Sequence, residues 1–293
     1  MTVKEVFCYK ADLYGREMME RECLEKSLEI RKTVIGRSIL GREIPAYFIG
    51  SGRYTVLLVG AHHALESIGT NFLFLMLNCL SDAREFNRFC RGFDRKALLS
   101  VFSFVLVPCL NPDGVELRFH GASESPLRER QLRMSGGDFS SWQANSRGVD
   151  LNHNYDAGFF RYKRIEAERG IIPGPTLYSG EYPESEPEVK ALCGLIRVLN
   201  PSLSVSLHTQ GEEVYFSEAA RFAAEALSKR SGYRVAKAEG TAAYGGMTDY
   251  LDKLGLASLT VELGKGVNPL PEESLGAIAE RILSALITLP TVI

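Results

Sequence analysis

The stretch Thr55-Val56-Leu57-Leu58-Val59-Gly60-Ala61-His62-His63-Ala64-Leu65-Glu66 decides how this chain is read. Its first half is apolar nearly throughout, and a glycine closes it. A short apolar run bounded in this way fits a strand buried on both faces of a sheet. The second half sets a histidine and a glutamate three residues apart, His63 and Glu66. At that spacing two side chains can face one point within a single helical turn. Imidazole nitrogen and carboxylate oxygen are both good zinc ligands. The pair also follows directly on a strand, where α/β sheets place their ligand sites.

Working outward, apolar runs at 45–49, 99–107, 203–207 and 258–262 read as further strands. Helical periodicity appears at 17–32, 69–80, 83–98, 186–198, 217–231 and 271–288. The alternation predicts an α/β sandwich with a mostly parallel central sheet. Residues 111–184 read as one long irregular stretch rich in Gly, Ser, Pro and Arg, of the kind that builds sites. No linker divides the chain, so one domain over residues 1–293 is expected.

Composition narrows the function classes. The 293 residues carry 34 Lys plus Arg against 36 Asp plus Glu, a formal net charge of −2. That balance gives no argument for a nucleic-acid or anionic-membrane partner, since both select for surplus cations. Hydrophobic residues make up 45%, enough for a sizeable core. The first residues lack the apolar core of a signal peptide, and apolar stretches such as 55–59 and 72–77 fall far short of a membrane span. A cytoplasmic location is expected. The six cysteines (Cys8, Cys23, Cys79, Cys90, Cys109 and Cys193) form no close pair and read as buried, reduced thiols.

An open catalytic zinc site needs a third protein ligand. With five histidines in the chain, the choice is narrow. His208, at the end of the run Leu203-Ser204-Val205-Ser206-Leu207, is the candidate. His62 is a register alternative to His63, at i,i+4 from Glu66. His120 reads as a loop residue with no partner nearby.

These features, with others in order along the chain, resemble the zinc carboxypeptidase family. Ile35-Gly36-Arg37-Ser38 with Gly41-Arg42-Glu43-Ile44 resembles the family's entry strand. The run from Gly60 to Glu66 resembles its GxHxxE ligand motif. Pro108-Cys109-Leu110-Asn111-Pro112-Asp113-Gly114-Val115 and Gly148-Val149-Asp150-Leu151-Asn152-His153-Asn154-Tyr155 resemble two further motifs, and Thr260-Val261-Glu262 resembles the strand of the catalytic glutamate. The resemblance implies a twisted, mixed eight-stranded sheet between helices, one Zn²⁺ held by His63, Glu66 and His208, and Glu262 as general base. The segments 142–148, 185–188, 208–213 and 262–271 resemble more narrowly the bacterial γ-D-glutamyl-L-diamino acid endopeptidases. That likeness implies hydrolysis of the γ-D-glutamyl bond to diaminopimelate or lysine in peptidoglycan stem peptides, with a muropeptide as substrate.

Three segments depart from the ordinary carboxypeptidase pattern, the third of them, 240–250, at two positions. Gln143 falls where the family places an oxyanion-binding arginine; Arg147, four residues on, is the alternative donor. His153 replaces the arginine that, beside Asn152, binds a substrate's C-terminal carboxylate. A histidine cannot reproduce the bidentate fork of a guanidinium. The family's mobile tyrosine falls on Thr241, with Tyr244 as a nearby replacement. The floor of the specificity pocket falls on Thr248, a small polar residue suited to a zwitterionic side chain. Glu212, Glu213 and Lys265 are charges near the motifs that could read such groups. The rival readings are a carboxypeptidase or N-acyl amino acid deacylase acting on ordinary peptides, and a non-catalytic muropeptide-binding protein of the same fold.

Overall fold

The computed structural model describes residues 9–292. Cys8 lies outside the described residues. Eight strands form one sheet: β1 (Arg31–Arg37), β2 (Glu43–Ile49), β3 (Tyr54–Val59), β4 (Phe102–Val107), β5 (Leu203–His208), β6 (Glu213–Phe216), β7 (Arg234–Val235) and β8 (Ser258–Glu262). Their spatial order is β1-β2-β4-β3-β5-β8-β6-β7. The centre, β4-β3-β5-β8, is parallel, whereas β1-β2, β2-β4 and β6-β8 pair antiparallel. The sheet is therefore mixed, as the resemblance implied. The two short strands β6 and β7 had no counterpart in the sequence reading.

Among the described residues eleven helices accompany the sheet: α1 (Leu13–Lys26), α2 (Ile68–Ser81), α3 (Ala83–Phe89), α4 (Arg95–Val101), α5 (Pro112–His120), α6 (Arg128–Ser135), α7 (Phe159–Arg169), α8 (Pro187–Leu199), α9 (Arg221–Ser231), α10 (Met247–Lys253) and α11 (Leu275–Thr288). Strand side chains alternate between faces. Val56 and Leu58 of β3 pack with α1, α2, α9 and α11 on one side. Leu57 and Val59 pack with α8 and α10 on the other. Burial on both faces is why β3 is apolar at nearly every position. The α8 residues Val189, Leu192, Cys193 and Ile196 recur at helical spacing and supply its buried stripe.

Several expected boundaries are corrected. The helix expected over 17–32 ends at Lys26, and β1 begins at Arg31. The helix expected over 83–98 is two helices, because the Asp94 side chain accepts from the Lys96 and Ala97 amides and restarts the chain as α4. The strand expected from 99 begins at Phe102. The stretch 111–184 is not irregular throughout: it contains α5, α6 and α7. The segment Glu272–Val292 is long and apolar enough to cross a membrane by length and composition, unlike the shorter stretches 55–59 and 72–77. It is 61% buried within the fold, and the core accounts for its apolarity. Cys23, Cys79, Cys90, Cys109 and Cys193 are buried free thiols, as expected.

Candidate metal centre

The centre is built where β3, β5 and β8 end. Gly60 closes β3 at a point where a Cβ would lie 2.8 Å from the Pro108 carbonyl, so only glycine lets the chains approach so closely. His63 then caps a single 3₁₀ turn, Ala64–Glu66. That turn is tied down by the Ala64 amide, which donates to the Gln143 carbonyl at 2.9 Å. Asn111 Nδ2 donates to the carbonyls of His62 and Gln143, both at 3.1 Å. The adjacent Asp113, fully buried, accepts from Ser38, Leu40, Arg42 and Ser146. These two residues clamp the motif Asn111-Pro112-Asp113-Gly114 to the ligand loop and to the turn after β1.

Alternation delivers the other groups. In β5, Leu203, Val205 and Leu207 enter the core, leaving Ser204, Ser206 and His208 on the opposite face. In β8, Leu259 and Val261 enter the same core, leaving Ser258, Thr260 and Glu262. His208 and Glu262 are register partners, so their side chains leave neighbouring strands on one face.

His63, Glu66 and His208 offer donor atoms that all lie within 4.8 Å of one another. His63 Nδ1 is 3.0 Å from Glu66 Oε1, His208 Nδ1 is 2.9 Å from Glu66 Oε2, and the two Nδ1 atoms are 3.3 Å apart. Donors about 2.1 Å from a tetrahedral zinc would stand about 3.4 Å from one another. The outer nitrogens are held too: His63 Nε2 lies 3.1 Å from Asp150 Oδ1, and His208 Nε2 lies 3.0 Å from Ser206 Oγ. A proton on each Nε2 leaves both Nδ1 lone pairs pointing inward at one another. A cation between them relieves that opposition, so this donor set fits zinc. His62 is excluded as the register alternative, because its ring nitrogens face Tyr155 Oη at 2.8 Å and Ser206 Oγ at 3.4 Å.

The electrostatics follow from burial and charge. Burial opposes a carboxylate at Glu66, but His63 and His208 outweigh it and hold the group down to about 2. Burial likewise opposes charge on His63, yet Glu66 and Asp150 prevail and raise it well above the usual histidine range. Asp150 is also held low, burial being outweighed by His63, His153 and its hydrogen bonds. Burial and the neighbouring Glu66 push Glu262 up to about 8.

The remaining candidates divide into groups. Gln143 Oε1 accepts from Thr176 Oγ1 at 3.0 Å, which turns the amide nitrogen the other way. Arg147 places Nε and Nη2 on Glu186 Oε2, at 3.1 and 2.9 Å. Asn152 Oδ1 accepts from the Met247 amide at 3.3 Å. His153 is buried, stacks on Tyr162 with centroids 4.0 Å apart, and donates from Nδ1 to the Tyr244 carbonyl at 2.8 Å. Tyr244 itself rests its ring against Gly158. Thr248 Oγ1 lies 2.8 Å from Thr260 Oγ1 and 3.2 Å from Ser258 Oγ. Ser204, the register partner of Ser258, has a buried hydroxyl without a hydrogen-bond partner. Glu212 is engaged by Lys265 and Arg281, and Glu213 by Tyr215 and Arg234. His120 ends α5 and meets Asp12 Oδ2 at 3.1 Å, so the expectation that it lacks a partner is corrected.

With this geometry in place, comparison with known proteins is decisive for the family. Residues 17–217 match the zinc carboxypeptidase family. The chain belongs to the zinc carboxypeptidase family. It is 31% identical over 250 residues to γ-D-glutamyl-L-diamino acid endopeptidase 1 of Lysinibacillus sphaericus, covering 82% of this chain and 62% of that protein. The chain thus spans less than two thirds of that relative's length. Among solved structures, carboxypeptidase A from Helicoverpa armigera superposes with a TM-score of 0.70 at 17% identity, over 96% of this chain and 72% of that one. Murein-tripeptide amidase from Escherichia coli O157 gives 0.57 at 21% identity, over 87% and 91%. Both share the fold.

As a zinc carboxypeptidase family member, the chain contains site residues that its sequence did not single out. Asp150 was visible only as part of a motif; its contact with His63 joins residues 87 apart. Thr176 bridges Gln143 and Asp150, and no local signal marks it. Ser206 had a readable position, two residues before His208 on the same strand face.

Proposed function

We propose that this chain is a zinc metallopeptidase that hydrolyses the γ-D-glutamyl–L-diamino acid bond of stem peptides, with diaminopimelate or lysine on the leaving side. His63, Glu66 and His208 would hold one Zn²⁺, which when bound supplies Lewis acidity to the scissile carbonyl and to water. Glu262 accepts the proton of the attacking water and returns it to the leaving amine. Gln143 is the better oxyanion donor, because Thr176 orients its amide while Arg147 is held by Glu186.

One observation carries the choice among the family's activities. Where the family resemblance expects an arginine for a C-terminal carboxylate, the chain has a buried histidine whose Nδ1 is committed to the Tyr244 carbonyl. The hydroxyls of Thr248, Thr260 and Ser258 beneath the site suit the polar end of a diamino acid side chain. The similarity to the L. sphaericus enzyme supports the same reading. A cytoplasmic location belongs to this proposal and is consistent with five buried cysteines kept as thiols.

The test is incubation of zinc-loaded protein with L-Ala-γ-D-Glu-diaminopimelate. Release of diaminopimelate is expected. Faster cleavage of ordinary C-terminal dipeptides would overturn the substrate assignment. Absence of bound zinc together with retained muropeptide binding would favour the non-catalytic reading. Glu262→Gln should lower kcat by at least about 100-fold while zinc stays bound; full activity in that variant would remove Glu262 as the base.

A further inference from the structure

The Asp150 carboxylate accounts for the orientation of one ligand histidine. The other, His208, is held differently. Its Nε2 meets Ser206 Oγ at 3.0 Å, Ser206 Oγ lies 3.4 Å from His62 Nδ1, and His62 Nε2 lies 2.8 Å from Tyr155 Oη. The His62 ring also stacks on the His208 ring, with centroids 5.3 Å apart and planes inclined by 24°. Ser206, His62 and Tyr155 are fully buried, so water does not compete for these bonds. The histidine beside His63 in Gly60-Ala61-His62-His63 is thereby explained without a metal bond of its own.

We propose that Ser206, His62 and Tyr155 form a positioning relay that fixes the tautomer and ring plane of His208 for zinc. The inference rests on the reading of His63, Glu66 and His208 as zinc ligands. His208 can offer Nδ1 to a cation only when its proton sits on Nε2. That proton is donated to Ser206 Oγ. The Ser206 hydroxyl then donates to His62 Nδ1, and His62 Nε2–H donates to Tyr155 Oη. In this direction His208 Nε2 and both ring nitrogens of His62 have hydrogen-bond partners, His208 Nδ1 is left for a cation, and each link fixes the next. Reversing the proton on His208 would turn Nδ1–H onto Glu66 Oε2 at 2.9 Å and close the site to a cation; the relay works against that alternative. Outer partners of ligand histidines typically change metal affinity by about 10- to 100-fold. The relay does so through a hydroxyl on His208 Nε2, where His63 Nε2 meets the Asp150 carboxylate.

The experiment compares zinc affinity, by competition with a chromophoric chelator, for the wild-type chain, Ser206→Ala, Tyr155→Phe, the double variant, and Glu66→Gln as a ligand control. Ring ¹⁵N NMR of the metal-free proteins reads the His208 tautomer independently of zinc and of activity. Ser206→Ala should weaken zinc about 10- to 100-fold and move His208 from the Nε2–H form to a tautomer mixture. Tyr155→Phe should weaken it by a smaller factor, and Ser206→Thr should keep wild-type affinity. The double variant should be close to Ser206→Ala, because the hydrogen-bonded path from Tyr155 through His62 to His208 passes through the serine. Additive losses with an unchanged tautomer would overturn the relay and leave the metal site standing. Equal zinc affinity in the wild type and Glu66→Gln would overturn the metal reading itself, and the relay with it.

Discussion

Glu188 should make the fold less stable as pH rises, and Glu188→Gln should abolish the effect. The residue is fully buried in the first turn of α8. Its Oε1 accepts weakly from the Ile39 amide at 3.3 Å, and its Oε2 is 3.5 Å from Asn145 Nδ2. Burial, with Glu186 and Asp113 nearby, pushes its carboxyl from 4.5 up to about 8. In the unfolded chain the group loses its proton near 4.5; in the folded chain it keeps it to about 8. Between those values the folded state binds more protons, so stability falls as pH rises. The slope is about 1.4 kcal/mol per pH unit, which amounts to about 3 kcal/mol by pH 7. An amide mimics the protonated acid, at a cost of about 1 kcal/mol if its second N–H finds no acceptor. Urea unfolding of both proteins at pH 5, 6, 7 and 8 isolates the term, because all other titrations cancel in the difference. Glu188→Gln should gain on the wild type steadily over that range and level off above pH 8. A difference that stays constant from pH 5 to 8 would refute the reasoning.

Three further outcomes are expected. Asp150→Asn should weaken zinc binding by about 10- to 100-fold in a chelator competition, because the amide no longer offers His63 a charged acceptor. Thr248→Val, which removes the hydroxyl bonded to Thr260, should raise KM for the γ-glutamyl tripeptide by about fivefold with kcat little changed. Zinc added to the metal-free protein at pH 6.5 in weak buffer should release between one and two protons per ion, one from His63, which is raised well above the usual range and must lose its proton to bind, and the rest from Glu262 as the ion lowers its proton affinity. Zinc affinity should accordingly increase with pH.

Much of the fold could be read because its central strands are buried on both faces. β3 and β4 sit between two core layers, while β5 and β8 alternate core residues with a polar face, and both patterns show openly in the sequence. What escaped had no such imprint. In α6 only Gln131 is buried, so no apolar stripe marked a helix. The break between α3 and α4 depends on the Asp94 cap rather than on any change in hydrophobicity. β6 and β7, of four and two residues, are too short to show a period. The site divides in the same way. His63, Glu66 and His208 stand directly after apolar strands, so their positions could be read locally. Asp150, Thr176 and Tyr155 reach the centre only through contacts between residues far apart in the chain.

The charges explain why these distant contacts matter. Glu66, Asp150 and Glu262 meet in a buried space around His63 and His208. With both histidines neutral, two held-down carboxylates are left uncompensated, which a buried region does not tolerate. Without a cation the chain meets this demand by placing a proton on His63 and another on Glu262, the directions in which both groups are shifted. A divalent ion meets it better. Bound between the histidines, it would replace the His63 proton and lower the cost of a carboxylate at Glu262, leaving that group able to serve as the proposed base. On the proposed function, the imbalance that favours a metal would therefore also arm the glutamate.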